Sequence, residues 1–358
     1  MRDNILNKNI KRNFISLTKN NIIFTVSVIV LIIIASALFL NYAVRANSGA
    51  ENSDKSKEYI KWMEFNVPYS TLDKALKYDI ESYGKETPLN WIEILAYITA
   101  KNWGNVTDEK KINRDIDALV KDLRADKLFD ELKADLKQYD YFFEAYNAVL
   151  NGYLGEYEVL EVVKDESDKE EWVKKYGLKV FSPIARGYGY SHYDDFGNSR
   201  SYGYRRKHLG NDIMGSIGTP IIAVEDGYIE SLGWNQYGGW RVGIRTHDKK
   251  RYYYYAHLRK DHPFNLKLKE GDFVQAGDVI GYLGMTGYST KENVNNITIP
   301  HLHFGIQIIF DEVQKDGINQ IWIDAYNIVK LLSRNRMPVV KVDKDFEAAK
   351  KINMIPTD

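Results

Sequence analysis

The chain has 358 residues, 44% hydrophobic and 27% charged, with 49 Lys and Arg against 49 Asp and Glu. That length accommodates two folded domains plus further segments, and the zero balance, with no clustered basic stripe, gives no support for nucleic-acid binding. Cysteine is absent, which excludes disulfides and thiolate metal sites, so any metal site must draw on His and carboxylate.

Residues 1–21 carry Arg2, Lys8, Lys11, Arg12 and Lys19 against one acid, Asp3. Ile22 to Leu40 follow without a charge. At about 1.5 Å per residue this run reaches the roughly 30 Å hydrocarbon thickness of a bilayer. It exceeds the apolar core of a signal peptide, and Ala35-Ser36-Ala37 lie inside it, a poor place for cleavage. Residues 22–44 therefore predict an uncleaved transmembrane helix. The excess of positive charge before it predicts a cytoplasmic N-terminus (1–21), with the remainder of the chain outside a single-pass cell membrane.

A small, polar linker spans 45–57. Residues 58–155 read as an all-α helical region. Thr87-Pro88 predicts a helix start, with Trp91, Ile94, Leu95 and Ile98 at helical spacing and Gly104 as a stop. Ile112, Ile116, Leu119 and Leu123 form a second stripe, and Leu128, Leu132, Leu136 and Tyr139 a third. Such stripes predict the core of a small bundle. The stretch from Val67-Pro68 to Glu81-Ser82 vaguely resembles the acid-bearing helix of lysozyme-like transglycosylases, in which Glu81 would be the acid, but the glycine-rich sequence that follows in that family is missing.

Charged residues over 156–176 read as a connector. Over 177–334 short β-rich runs alternate with Gly and Asp turns, predicting a mostly antiparallel sandwich or partly open barrel. Ile321 to Leu332 reads as a terminal helix, and 335–358 as a polar tail. The chain is thus expected to be multidomain: a transmembrane helix, a helical region and a β domain.

Six of the seven histidines lie at or beyond position 208. His301 and His303 are two apart on a strand and project from one face. His208 and Asp212 flank Gly210 in a turn that aims both groups at one point. His257, ending Tyr254-Tyr255-Ala256-His257, is read as a strand residue on the face of Tyr253 and Tyr255. Four His and one Asp match the needs of hydrolysis at a metal: three ligands, an open position for water, and polar groups to handle protons and steady an oxyanion. His192, His247 and His262 read as solvated loop residues.

From about Phe181 to Phe310 the chain resembles the M23 family of zinc metallopeptidases, the LytM/lysostaphin-type peptidoglycan endopeptidases. The matching pieces are His208-Leu-Gly-Asn-Asp212, Gly218-Thr219-Pro220 with Asp226-Gly227, Tyr-Ala-His257-Leu258, Gly271-Asp272 through Gly277-Asp278 to Ile280-Gly281, Thr286-Gly287, and His301-Leu-His303. The resemblance implies His208, Asp212 and His303 as ligands of one zinc ion and His257 and His301 as the catalytic pair. It implies a peptidoglycan peptide as substrate and Tyr202 or Tyr204 as an oxyanion donor. Ser289 to Pro300 is longer than in compact members, and its asparagines suggest a substrate-side loop. Arg186 to Arg206 suggests a groove wall. Two other readings remain at this stage: a catalytically silent scaffold on the same fold for a cell-wall, division or sporulation complex, and a carrier domain built on the Gly271 to Gly281 hairpin.

Overall fold

The computed structural model describes residues 59–163 and 169–355. The predicted membrane anchor and its flanks lie outside the described residues. Among the described residues no helix is long and apolar enough to cross a membrane.

Pro68 opens α1 (Tyr69–Ser82), its carbonyl accepting from Leu72 N at 3.0 Å. A proline costs little there, because the first N–H groups of a helix have no intrahelical partner. Helix α2 (Trp91–Lys101) starts later than Thr87-Pro88 suggests. Its cap is Asn90, which accepts from Ile92 N at 2.8 Å and Glu93 N at 3.2 Å, satisfying two otherwise orphaned donors. Glu81 is exposed, and the buried acid of α1 is Asp79. Its two oxygens accept from Trp91 N at 2.9 Å and Tyr176 Oη at 2.7 Å. That acid is therefore a structural tie between helices and sheet.

In α3 (Glu109–Arg124) the stripe Ile112, Ile116, Leu119 and Leu123 is buried as its spacing requires, each residue worth about 1.5–3 kcal/mol on leaving water. The third stripe breaks. Leu128 is 62% exposed, the single turn α4 (Phe129–Lys133) intervenes, and α5 runs from Tyr139 to Leu150. These helices share one apolar core with the β region, within a compact unit Ile60–Asp358. Arg251, fully buried, donates to Ala148 O near the end of α5 at 2.9 Å and to both oxygens of Glu225 at 2.7 and 2.8 Å. Tyr153 and Tyr253 join hydroxyls at 3.0 Å beside it.

The charged segment read as a connector forms a long hairpin, β1 (Leu154–Val163) and β2 (Lys169–Leu178). Beyond it lie β3 (Tyr190–His192), the hairpin β4 (Ser199–Tyr202) and β5 (Tyr204–Lys207), β6 (Asn211–Gly215), β7 (Pro220–Ile222), β8 (Gly227–Asn235), β9 (Gly239–Arg245) and β10 (Arg251–Ala256). Then come β11 (Phe273–Val274), β12 (Val279–Tyr282) and β13 (His301–Ile308). The main sheet is antiparallel, in the order β11-β8-β9-β10-β13-β6-β3. The short helix α6 (Val313–Asp316) follows.

The expected terminal helix divides: Ile321–Ile323 is strand β14, paired with β13, and only Tyr326–Leu332 is helical (α7). Buried Ile321 and Ile323 complete the sheet, and Asn211 Oδ1 accepts from Ala325 N at 2.9 Å just before α7 begins. The segment read as a polar tail also pairs. It makes the hairpin β15 (Val339–Val342) and β16 (Asp345–Ala348), and β17 (Ile352–Met354) adds to β1. What places the functional groups is β13, flanked by β10 on one side and β6 on the other.

Candidate metal and catalytic centre

Pro300 lacks an N–H for a ladder bond, and β13 begins at the next residue, His301. Alternation buries Leu302 and Phe304 in the core, leaving His301 and His303 on the opposite face. Across the β13–β6 pair His303 stands opposite Asp212. His208 comes from the bend before β6. Gly210 lies between them, and a side chain there would meet Phe304 O at 2.6 Å and the His303 ring at 2.8 Å. Only glycine lets this bend approach β13 so closely.

Three ligand atoms converge. His208 Nε2 lies 2.8 Å from His303 Nδ1 and 3.1 Å from Asp212 Oδ1, and His303 Nδ1 is 3.4 Å from that oxygen. Bonds of roughly 2.0–2.2 Å to a tetrahedral divalent metal hold ligands about 3.3–3.5 Å apart, so the trio fits such an ion after a small outward adjustment. Asp212 Oδ1 is buried without a hydrogen-bond partner, a costly state that a cation relieves.

The electrostatics agree. Burial disfavours charge on His208, but the neighbouring carboxylates of Asp195 and Asp212 outweigh it and push the ring up to about 9. Burial raises the Asp212 carboxyl, yet His208 and His303 bring it well below the usual carboxylate range. The cluster favours positive charge at its centre.

Two residues that sequence reading missed hold this trio. The carbonyl of Asp195 lies 3.1 Å from His208 Nδ1. Because a carbonyl only accepts, Nδ1 keeps its proton, and it is Nε2 that would give up the other to face a metal at the centre. Asp195 Oδ1 accepts from Asp212 N at 3.1 Å, and Arg200 donates to Asp195 Oδ2 at 2.6 Å and Asp212 Oδ2 at 3.0 Å. Both lie in the segment suggested as a groove wall, where no local pattern marks them.

The other two histidines face the same point. His301 Nδ1 donates to Ile299 O at 2.8 Å, and His301 Nε2 lies 3.6 Å from Asp212 Oδ1. His257 corrects the strand reading. Strand β10 ends at Ala256, and His257 takes a left-handed φ of 63°. A continued strand would bury it with Tyr253 and Tyr255; the break turns its ring to 4.9 Å from that of His301 and 5.8 Å from that of His303. His257 Nδ1 donates to Thr286 O at 2.9 Å, and burial, followed by the neighbouring His301 and His303, lowers its pKa well below the ordinary value. Both rings thus present a bare Nε2.

Tyr202 and Tyr204 sit on the β4–β5 hairpin, and neither lines the cleft of about 160 Å³ over the histidines. Tyr237, Tyr254 and Tyr288 do line it, with the Tyr288 ring 5.6 Å from His257 and the Tyr254 ring 5.8 Å from His303. Alternation along β10 was the overlooked signal for Tyr254, whose neighbours Tyr253 and Tyr255 face the core. A groove of about 480 Å³ continues past Leu209, Tyr254 and His303 toward Trp322. A further cavity of about 430 Å³, beside Lys179 and Glu225, touches none of the five residues.

Asn293, suggested as a substrate-side group, is committed elsewhere: it accepts from Trp240 Nε1 and Asp261 N, both at 2.9 Å. His192 and His262 are not free loop residues. His192 packs on Tyr326 with centroids 4.6 Å apart, and His262 Nε2 meets Asp345 Oδ1 at 2.8 Å. His247 is exposed.

The sequence model described as Peptidase family M23 matches residues 206–318. The chain carries a peptidase family M23 domain. All five residues of the centre fall inside the M23 match. The L-Ala--D-Glu endopeptidase of Bacillus subtilis is 39% identical over 117 residues, which is 33% of this chain and 34% of that protein. Lysostaphin of Staphylococcus simulans is 39% identical over 120 residues, 33% of this chain and 20% of the relative. The solved catalytic domain of S. simulans lysostaphin is 31% identical and covers 39% of this chain and 92% of its own, with a TM-score of 0.31. The chain spans about a third or less of the length of these curated relatives, and the likeness is one of the M23 domain.

Proposed function

We propose that this protein is a zinc metalloendopeptidase that hydrolyses peptide bonds in bacterial peptidoglycan, with His208, Asp212 and His303 as ligands of one zinc ion. One observation carries the reading: ring nitrogens of His208 and His303 converge with a buried, unpartnered carboxylate oxygen of Asp212, while His301 and His257 close round the same point. The M23 match and the names of the relatives support the substrate class. Held by His208, Asp212 and His303, a zinc ion would supply Lewis acidity for activating a water and polarising a carbonyl.

The chain's own residues supply the rest. Asp195 and Arg200 fix the orientation of His208 and Asp212. His257, kept neutral by burial, and His301 each have an Nε2 free to accept a proton and return it to the leaving amine. Tyr288 and Tyr254 border the cleft beside His257 and His303, where a phenol could donate to a developing oxyanion. The silent-scaffold alternative asks for a broken set, and all five positions are filled. Residues 22–44 serve in this reading as the membrane anchor, holding the M23 domain outside the cell.

The test is digestion of purified peptidoglycan by the zinc-loaded full chain, with released peptides identified by mass spectrometry. We expect about one zinc per chain, activity lost with a chelator and restored by zinc, and no metal retention after Asp212→Ala. Zinc-independent wall binding without released peptides would support the scaffold instead. Protease accessibility in intact cells reads the topology.

A further inference from the structure

The groove of about 480 Å³ beside the centre is lined by Arg241, which pairs with no acid among the described residues. Arg241 lies on β9 next to buried Val242, so alternation turns its side chain to the open face, the same face as His303. Strand β10 separates β9 from β13, which puts Arg241 two strand spacings, roughly 10 Å, from His303. Its Nε is buried with no hydrogen-bond partner.

Nearby cations differ. Arg245 meets Glu230 at 3.3 Å and Glu312 at 2.7 Å, and Lys315 meets Glu230 and Asp316, both at 3.4 Å. With these acids engaged, no carboxylate among the described residues pairs with Arg241. The phenols of Tyr252 and Tyr254 line the same groove. A guanidinium presents a planar fork of donors that matches a carboxylate, and a half-desolvated one left unmatched is poised for an anion from outside.

We infer that Arg241 is a specificity-determining residue that binds a free carboxylate of the substrate peptide, within about three residues of the scissile bond at roughly 3.4 Å per extended residue. This rests on the peptidase reading above and deepens it: the substrate is an acidic peptide, with its charge lying along the Trp322 side of the site. Arg241 touches none of the metal ligands, so its role is in selecting substrate.

The experiment compares two synthetic peptides, L-Ala–γ-D-Glu–L-Lys–D-Ala, each N-acetylated and C-amidated, that differ only in a free or amidated glutamyl α-carboxyl. Calorimetry on the zinc-loaded full chain should show the free acid binding about tenfold more tightly, as befits one charge-assisted fork. Arg241→Gln should erase the preference, and Arg241→Lys, which keeps the charge, should retain part of it, with zinc content unchanged in both. Equal binding of the two peptides, no binding of either, or a preference that survives Arg241→Gln overturns the inference. Cleavage is read separately on the same peptides. A preference in binding without hydrolysis of either peptide upholds the Arg241 contact and counts against the peptidase reading.

Discussion

His303 and Asp212 stand opposite each other across β13 and β6, with His303 Nδ1 3.4 Å from Asp212 Oδ1. A strand pair is a stiff frame. Both groups are therefore fixed before any ion arrives, while His208 comes from the adjoining bend and is held by Asp195.

That support gives a first prediction. Asp195→Ala removes the acceptor for Asp212 N and one partner of Arg200. Loss of such outer partners typically costs about 10–100-fold in metal affinity. Competition with a zinc-sensitive dye should show a fall of that size with the fold intact by circular dichroism. An unchanged affinity would mean that the Asp195 carboxylate plays no part in holding the ligands.

Gly287 has a φ of 119°, and a side chain there would meet Tyr237 O at 2.6 Å and His257 Nδ1 at 2.9 Å. Gly287→Ala should displace His257 from Thr286 O without touching the three ligands. Turnover on peptidoglycan should fall on the order of 100-fold, the lower end of what a positioned acid–base group contributes, while zinc stays bound. Equal loss of zinc and turnover would place the effect on the metal trio.

His192 supplies a pH dependence. Burial lowers its pKa from 6.5 to about 4, against a smaller opposing pull from Asp195, and its Nε2 is buried without a partner. The folded-state value is the depressed one, so between pH 6.5 and 4 the unfolded chain binds more protons. Stability is fully present above pH 6.5 and falls as the pH drops through that window, by about 2–3 kcal/mol in total. Urea unfolding at pH 7 and pH 4.5 should show the loss, and His192→Phe should flatten that share of it.

The buried ion pair of Arg251 with Glu225 ties helix α5 to the sheet through Ala148 O. Arg251→Met leaves the Glu225 charge uncompensated, at a cost of about 3–5 kcal/mol. Replacing both residues together (Arg251→Met with Glu225→Leu) should recover much of that. Denaturant midpoints of the two variants check it, and a double variant as unstable as the single one contradicts it.

The sequence by itself determined the chemical inventory of this protein. His301-x-His303 on a β run, His208 and Asp212 around Gly210, and the Tyr-Ala-His257 segment are local patterns, as are the stripes of α2 and α3, because alternation and helical spacing act over a few residues. The tertiary structure alone decided the rest. His257 reaches the centre through a break in the strand that alternation does not foresee, and Asp195 and Arg200 are selected by contacts with Asp212, 17 and 12 residues away. Charged residues 156–176 become a hairpin because β17, about 195 residues downstream, pairs with its first strand. Ile321–Ile323 becomes a strand because β13 offers an open edge there. In each case the deciding partner is distant in the chain, so local propensity carries no record of it until the sheet is assembled.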